Sequence, residues 1–340
     1  MINYRCIGLT YTLTCPLSCR DCINSSSPKA KGKMQPDVAS EYIKTIARYS
    51  EAICFTGGEP MLYYNEILPL IREANALGLN VSLVSGSGWV RTDKAHIARE
   101  RIYGLKEAGL TALFLSWDVY HEEFSPAENV HLLLDLAKEA GLKAIARGVV
   151  PASKPSSRFE ETLVNIDLYE KIPVIRLGAA MDLPDDHFTF TPDVPPGSCS
   201  VVLSPTIEPD GTVYACCGPS RAAERSSPLV LGNTLNESLD AILHRSSQDP
   251  ILEALSTIGP YGLLQLIKDD PDLRGILPKR DRYTSMCEAC LDMNDIPAVV
   301  DKLRERIASD DGRTLLIAAK LFRYAPYTMR TNLPPIPASM

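Results

Sequence analysis

Residues 15–22 of the chain read C-P-L-S-C-R-D-C and place Cys15, Cys19 and Cys22 in the spacing C-x3-C-x2-C. Three thiolates at this spacing fit one face of an iron-sulfur cube and leave its fourth iron without a protein ligand, whereas simple electron carriers use four cysteines. An iron without a protein ligand can bind a substrate or a cofactor. A zinc site or a redox pair also uses C-x2-C, but zinc needs a fourth ligand nearby.

A second motif, Gly57-Gly58-Glu59-Pro60, follows about one βα unit later. The pair of motifs resembles the radical S-adenosylmethionine (SAM) enzymes, in which the unique iron chelates SAM and an electron from the cluster cleaves it to a 5′-deoxyadenosyl radical. The resemblance implies a [4Fe-4S] cluster and SAM as cofactors, with a reductase or flavodoxin-type electron donor as a partner. Neither a zinc site nor a redox pair accounts for the second motif.

The composition is that of an ordinary soluble enzyme. With 340 residues, of which 45% are hydrophobic and 23% charged, the chain can form one large α/β domain and a small appendage. The net charge of -7 and the lack of a Lys/Arg block disfavour a nucleic-acid partner. No apolar run reaches the roughly 18 residues of a membrane span, and no signal peptide is recognisable. Ten cysteines without export signals predict a reducing compartment, and we expect the cytoplasm.

Short apolar runs alternate with amphipathic stretches over the first 180 or so residues. The predicted strands are Ile7–Leu13, Ala52–Phe55, Asn80–Val84, Ala112–Leu115, Lys143–Ala146 and Val174–Leu177. The predicted helices lie near Asp37–Tyr49, Ile67–Ala76, Lys94–Glu107, Asn129–Ala140 and Phe159–Leu168. This alternation predicts a parallel sheet with helices on its outer face. We favour a partial (β/α)6 TIM-like barrel, the core that the resemblance implies, over a doubly wound sheet. Both place the chemistry at the C-terminal ends of the strands.

The pattern changes after Asp182. A Pro-Asp-Gly turn predicts a hairpin over Thr206–Tyr214, and helical patterns follow near Leu235–His244 and Leu252–Ile267. We therefore predict a radical SAM partial barrel over residues 1–182 and a small C-terminal iron-sulfur auxiliary domain over residues 183–300. Residues 301–340 are predicted to form a helix and a Pro-rich arm.

Five further cysteines lie in this second region, at Cys199, Cys216, Cys217, Cys287 and Cys290. They resemble the short, four-cysteine version of the auxiliary-cluster domain, of the SPASM/twitch type, of many radical SAM enzymes. The resemblance implies that a second [4Fe-4S] cluster is held by four of them, with one of the adjacent pair left over. Such a saturated cluster would relay electrons and shape the cavity. A structural zinc ion would use the same four thiolates, and the cysteines alone do not separate the two.

The surplus cysteine extends the resemblance to the radical SAM peptide epimerases. They share the runs F-T-G-G-E, S-x-D-x-Y-H, D-G-x-x-Y-x-C-C and the final C-x2-C with this chain. In that family the second cysteine of the pair donates a hydrogen atom, which implies Cys217 as donor and Cys216 as ligand, and a ribosomally made peptide as substrate. Cys217 as a buried small side chain, or the two roles exchanged, are the alternatives. Where those epimerases carry an acidic residue soon after the first auxiliary cysteine, residues 201–204 read V-V-L-S.

The resemblance also implies a SAM site. Gly57 and Gly58 let the backbone approach the methionyl group, Glu59 accepts a bond from its ammonium, and Pro60 stiffens the turn. Arg147, which the prediction places at the end of the fifth strand, would pair with the SAM carboxylate or form an ordinary ion pair at the barrel rim. The remaining candidates for ribose or substrate contacts follow other strands, at Ser85, Ser116 and Asp118.

Two classes of reaction remain open. The first is epimerisation of a peptide residue after abstraction of its Cα hydrogen. The second is a dehydrogenase or crosslinking maturase acting on a peptide or small polar substrate, which has no need of a donor thiol at Cys217. Because only 14 residues precede Cys15, we expect no N-terminal domain that binds a leader peptide. Recognition would then use the barrel mouth, the C-terminal segments or a separate partner.

Overall fold

The computed structural model describes residues 2–153, 157–164, 166–277 and 279–324. Its first half alternates strands and helices. The strands are β1 (Ile7–Thr12), β2 (Ala52–Gly57), β3 (Asn80–Ser85), β4 (Leu110–Ser116), β5 (Lys143–Val150) and β6 (Tyr169–Pro173). The helices are α1 (Pro36–Ile46), α2 (Tyr64–Ala76), α3 (Ala95–Glu107), α4 (Val119–Glu122), α5 (Ala127–Glu139) and α6 (Ser157–Thr162). Each strand pairs in parallel with the next one in the chain, as a partial barrel requires.

The two faces of the sheet differ in chemistry. In β2, Ile53 and Phe55 are fully buried in the core that the helices cover, while Cys54 and Thr56, between and beside them, are only partly buried. Burying each large apolar side chain contributes about 1.5–3 kcal/mol, which fixes the register of the strand. The opposite face is left for smaller and polar side chains, and this is the face on which the cavity lies.

The second half continues the same sheet. Strands β7 (Thr206–Ile207) and β8 (Thr212–Tyr214) form the predicted hairpin, and β9 (Val230–Asn233) adds the ninth strand. Strand β7 pairs in parallel with β1, where Gly8 lies opposite Thr206. A Cβ atom on Gly8 would lie 2.7 Å from the Thr206 side chain, so glycine permits this close pairing. The helices that follow are α7 (Leu239–Ser246), α8 (Pro250–Thr257), α9 (Gly259–Ile267), α10 (Met286–Asn294), α11 (Pro297–Ala308) and α12 (Asp310–Tyr324).

Three predicted elements differ from the structure. The sixth strand is Tyr169–Pro173, and the predicted strand Val174–Leu177 is a loop. Pro173 has no N–H to continue the ladder, and the apolar residues after it are buried against the cysteine loop instead. The predicted helix Leu252–Ile267 is two helices, because Gly259 takes a φ of 70° between them. The helix predicted over Phe159–Leu168 ends at residue 162.

The division of the chain at residue 182 remains a prediction, and the sheet itself crosses it. The predicted Pro-rich arm, after residue 324, falls outside the described residues. Within the described residues, no helix combines the length and the apolar character that a membrane crossing needs.

Candidate active site

A cavity of about 310 Å³ opens at the C-terminal ends of β2, β4 and β5, a size that suits a small-molecule ligand. Of the residues predicted from the sequence, eight line it, namely Cys15, Cys19, Cys22, Gly57, Gly58, Ser116, Asp118 and Arg147. Apolar residues of the loop that follows β6 also line the cavity, namely Val174, Ile175 and Leu177. The cavity therefore brings the two diagnostic motifs of the sequence to one place.

The cysteine loop is held by weak contacts of its sulfur atoms with backbone amides. Leu17 N and Ser26 N each lie 3.4 Å from a sulfur, those of Cys15 and Cys22 respectively. Burial raises the pKa of the Cys15 thiol to about 12. A bound metal must therefore supply the positive charge that keeps this thiol deprotonated, which couples metal binding to the folding of the loop.

One group of candidate metal-ligand atoms is already close together. Among the described residues, three such atoms come within 4.8 Å of one another only at Cys19, Asp21 and His121. Neither cysteine set of the described residues brings three thiols that close together.

The glycine run packs directly on the chain that enters the cysteine loop. Gly57 has a φ of 125°, and a Cβ atom there would lie 2.2 Å from the Thr12 carbonyl oxygen. A Cβ atom on Gly58 would lie 2.3 Å from the Thr14 carbonyl oxygen. Close backbone packing therefore requires glycine at both positions, besides any contact with SAM.

Glu59 is fully buried behind the cavity wall. Its carboxylate accepts hydrogen bonds from Met61 N at 3.0 Å, Ser85 Oγ at 3.0 Å and Gly86 N at 2.9 Å. Burial raises the pKa of Glu59 to about 7. The carboxylate thus ties the glycine run to the loop after β3. Glu59, Pro60 and Ser85 do not line the cavity, and their predicted contacts with SAM remain predictions.

Asp118 and His121 form a buried pair beside Cys19. Asp118 caps α4, and its carboxylate lies 2.7 Å from His121 Nδ1 and also accepts a bond from Val149 N at 3.0 Å. Burial disfavours the charged form of His121 and by itself would lower its pKa. The Asp118 carboxylate and a hydrogen bond to Cys19 outweigh this effect, and the pKa of His121 lies well above its usual value. The pair braces the loop after β4 against the cysteine loop.

Arg147 lies within β5 rather than at its end. Its guanidinium lies 2.6 Å from Glu170 and 4.6 Å from the centre of the Phe114 ring. Both members of the ion pair are about 40% exposed, at 39% and 41%. Arg147 borders the cavity, and its ion pair with Glu170 is the ordinary ion pair that the sequence offered as the alternative. Its contact with SAM stays a prediction.

The auxiliary cysteines gather beneath the hairpin. The thiols of Cys199, Cys216, Cys287 and Cys290 lie near enough to influence each other, and burial, with smaller contributions from the other three, raises the pKa of Cys290 well above its usual value. Cys216 is buried, and its sulfur lies 3.2 Å from Ser220 Oγ. These four are the ligands that the resemblance implied for the second cluster, and Cys217 also lies near enough to Cys287 to influence its pKa.

Cys217 differs from its neighbour. Its side chain is exposed, whereas that of Cys216 is buried. Cys54 and Cys217 also contribute, after burial, to raising the pKa of Cys6, so these three thiols lie near one another. Cys54 in turn is near enough to Arg147, which lines the cavity, for its pKa to be influenced by that charge. Cys217 therefore lies near Cys54, but it does not itself line the cavity.

Sequence reasoning missed a buried polar network that contains Asn24, Glu208 and Arg221. The one signal for it was position, since Asn24 follows Cys22 by two residues and Arg221 follows Cys217 by four. Their partners come from distant parts of the chain, and no local pattern pairs them.

Comparisons with known proteins agree with this geometry. The radical SAM superfamily matches residues 9–154, and the SPASM iron-sulfur cluster-binding domain matches residues 199–291. A putative peptide biosynthesis protein, YydG of Bacillus subtilis strain 168, is 22% identical over 296 residues, which are 84% of this chain and 91% of YydG.

Among solved structures, native anSMEcpe with bound AdoMet has a TM-score of 0.52 at 14% identity and covers 93% of this chain and 99% of its own. Native anSMEcpe with bound AdoMet and the Kp18Cys peptide has a TM-score of 0.51 at 14% identity over the same shares. These likenesses confirm the predicted fold class.

Proposed function

Because the chain belongs to the radical SAM enzymes that carry a SPASM domain, we propose that it is a peptide epimerase, which converts L-residues of a ribosomally made peptide into D-residues. The radical SAM domain binds SAM with a [4Fe-4S] cluster, and the SPASM domain binds an auxiliary iron-sulfur cluster. YydG is named as a putative peptide biosynthesis protein, and one anSMEcpe structure holds a peptide. These relatives support a peptide as the substrate class.

The cavity residues divide the work. Cys15, Cys19 and Cys22 hold the cluster, and the backbone of Gly57 and Gly58 borders the space for SAM. Bound there, the cluster and SAM would supply the 5′-deoxyadenosyl radical that removes the Cα hydrogen of the peptide. The apolar side chains that follow β6 line the same space.

Cys217 supplies that hydrogen from the opposite face. Its S–H bond breaks homolytically, and a new C–H bond forms at the inverted Cα. The thiyl radical left on Cys217 would take up one electron, and one proton from solvent. Cleavage of SAM consumes one SAM and a second electron in each turnover. A reductase or flavodoxin-type donor would supply both electrons, and Cys199, Cys216, Cys287 and Cys290 would hold the auxiliary cluster that relays the first.

The observation that carries this proposal is the difference between the two adjacent cysteines. Cys216 is buried near the other auxiliary thiols, whereas Cys217 is exposed and lies near Cys54. An enzyme that only oxidised its substrate would not need a free thiol there. This contrast supports Cys217 as the donor and Cys216 as the ligand.

The test is a reaction in deuterated water with short peptides encoded beside the gene. We expect the wild type to place one deuterium at each inverted centre, because a thiol hydrogen exchanges with solvent and a carbon-bound one does not. Cys217→Ala should load both clusters and cleave SAM but form no inverted product. Mass spectrometry and chiral amino-acid analysis measure both results.

Two controls make the result specific. Cys54→Ala removes a neighbouring thiol and should leave inversion intact, whereas Cys216→Ala should lose the auxiliary cluster. A wild-type product two mass units lighter than the substrate, without deuterium, would contradict epimerisation and favour the dehydrogenase class. Loss of the auxiliary cluster in Cys217→Ala but not in Cys216→Ala would show that ligand and donor are exchanged.

The electron donor implied by this chemistry leads us to propose a cytoplasmic enzyme.

A further inference from the structure

Arg221 is the centre of a buried hydrogen-bond network between the hairpin and β1. Its Nε donates to Glu208 Oε1 at 2.9 Å, and its Nη2 donates to Thr10 Oγ1 at 2.9 Å. Thr10 in turn donates to the same Glu208 oxygen at 2.9 Å. The Arg221 and Glu208 side chains are only 15% and 10% exposed, so solvent screens this pair far less than a surface ion pair.

The other end of the guanidinium connects the segment of Cys217 with residues that line the cavity. Arg221 Nη1 donates to the backbone carbonyl of Cys217 at 3.3 Å and also to Asn24 Oδ1. Asn24 Nδ2 then donates to the carbonyl of Gly57 at 2.8 Å. Asn24 and Gly57 both line the cavity. An unbroken run of hydrogen bonds therefore joins the backbone of Cys217 to the glycine run.

We propose that Arg221 is a positioning residue, which fixes the Cys217 thiol relative to the SAM site through Asn24. The proposal rests on the proposed function of Cys217. Hydrogen-atom transfer needs the donor within contact distance of the substrate carbon, and a misplacement of about 1 Å can lower a rate by about 100-fold. Arginine suits this role because its planar fork can bind Glu208, Asn24 and the Cys217 carbonyl together.

Lysine is the informative replacement. Arg221→Lys keeps a positive charge beside Glu208, but a single ammonium cannot also bridge Asn24 and the Cys217 carbonyl. We expect the ratio of inverted peptide to 5′-deoxyadenosine to fall by about tenfold or more, as loss of a charged hydrogen bond and a displaced donor predict. A ratio is the suitable readout, because a variant that merely folds poorly loses both products together.

Arg225→Lys is the matched control, since Arg225 is an exposed arginine on the same segment. It should keep the wild-type ratio. A second variant protects the test from misfolding, because removing Arg221 alone leaves the buried Glu208 charge unpaired. The double variant Arg221→Gln/Glu208→Gln removes both charges, and we expect it to bind both clusters and still show the lowered ratio.

The outcomes separate this inference from the function on which it rests. A wild-type product without solvent deuterium overturns both. A deuterated wild-type product together with an unchanged ratio in Arg221→Lys, or in the cluster-loaded double variant, overturns the role of Arg221 alone. A lowered ratio in both variants, with Arg225→Lys unchanged, supports it.

Discussion

Glu59 shows how burial of a single carboxyl makes the stability of the protein sensitive to pH. Burial raises its pKa to about 7, whereas a glutamate in an unfolded chain has a pKa of about 4.3. The folded state therefore binds this proton more tightly than the unfolded state. The stability that this group contributes is present below the unfolded pKa and is lost as the pH rises through the folded value.

We predict that Glu59→Gln makes the free energy of unfolding less sensitive to pH between about pH 4.5 and 7. At pH 5 the variant should be less stable than the wild type by about 1–3 kcal/mol. The glutamine side chain has only one acceptor oxygen, so its NH2 group would face a donor, Gly86 N or Ser85 Oγ, that now bonds to Glu59. The deficit should shrink at pH 8. Urea unfolding of the metal-free protein measures both values.

The exposed Glu100 provides the control, and Glu100→Gln should change stability little at either pH. A deficit of Glu59→Gln that is the same at pH 5 and pH 8 would contradict the raised pKa. SAM affinity of the reconstituted Glu59→Gln protein tests the predicted contact with the methionyl ammonium separately. An unchanged affinity would leave Glu59 with the loop-bracing role that the structure gives it.

At the scale of the element, Gly259 controls where Cys199 lies. It has a φ of 70°, and a Cβ atom on it would lie 1.8 Å from the carbonyl oxygen of Gly197, two residues before that cysteine. Cys199 N also donates to the Leu255 carbonyl of α8 at 3.0 Å. The break between α8 and α9 therefore makes room for the segment that carries an auxiliary ligand.

We predict that Gly259→Ala lowers the iron content by about half, because the auxiliary cluster loses one of its four ligands while the cysteine loop is untouched. Gly141→Ala is the matched control. Gly141 also has a positive φ, of 65°, but nothing lies within 4 Å of its added Cβ atom. Iron analysis and visible absorbance after anaerobic reconstitution measure the effect. Full iron content in Gly259→Ala would show that the segment moves without losing the ligand.

The strands show which secondary-structure elements the sequence predicts correctly. Strands β1 to β5 were predicted because each is a short apolar run between helical stretches, and each carries buried apolar residues in the structure. Strand β6 was misplaced because its sequence, Y-E-K-I-P, is mostly exposed at the edge of the sheet, where only β5 pairs with it. The apolar residues that suggested a strand, Val174 to Leu177, instead cover the cysteine loop. Tertiary packing, which has no local signal, decided this element.

The site was predictable to the same degree. The predicted parallel strands placed the loop with Cys15, Cys19 and Cys22 beside the glycine run, and the structure brings them to one cavity. The hydrogen bond between Arg221 and Asn24 was not predictable, because the two residues are 197 positions apart in the sequence. Only the fold brings such residues together.

At the scale of the whole molecule, the described residues form a nine-stranded sheet to which both cysteine sets are connected. The cysteine loop follows β1, and the hairpin with Cys216 pairs its first strand with that same β1. The two sets nevertheless draw their ligands from separate elements, since the last auxiliary pair lies on α10. A shared sheet with separate ligands should let each cluster load without the other while fixing the distance between them.

We therefore predict that the reconstituted wild type holds about eight irons per chain, the sum of two cubanes. Replacing Cys15, Cys19 and Cys22 together by alanine should remove about half of the iron and abolish SAM cleavage, because only that cluster has an iron free to bind SAM. Replacing Cys287 and Cys290 by alanine should remove the other half and leave SAM cleavage measurable, since the cavity residues are untouched. Metal analysis and the yield of 5′-deoxyadenosine distinguish the variants. Zinc in place of the second half of the iron would contradict the two-cluster prediction, and loss of all iron in either variant would show that the shared sheet makes the two sites depend on each other.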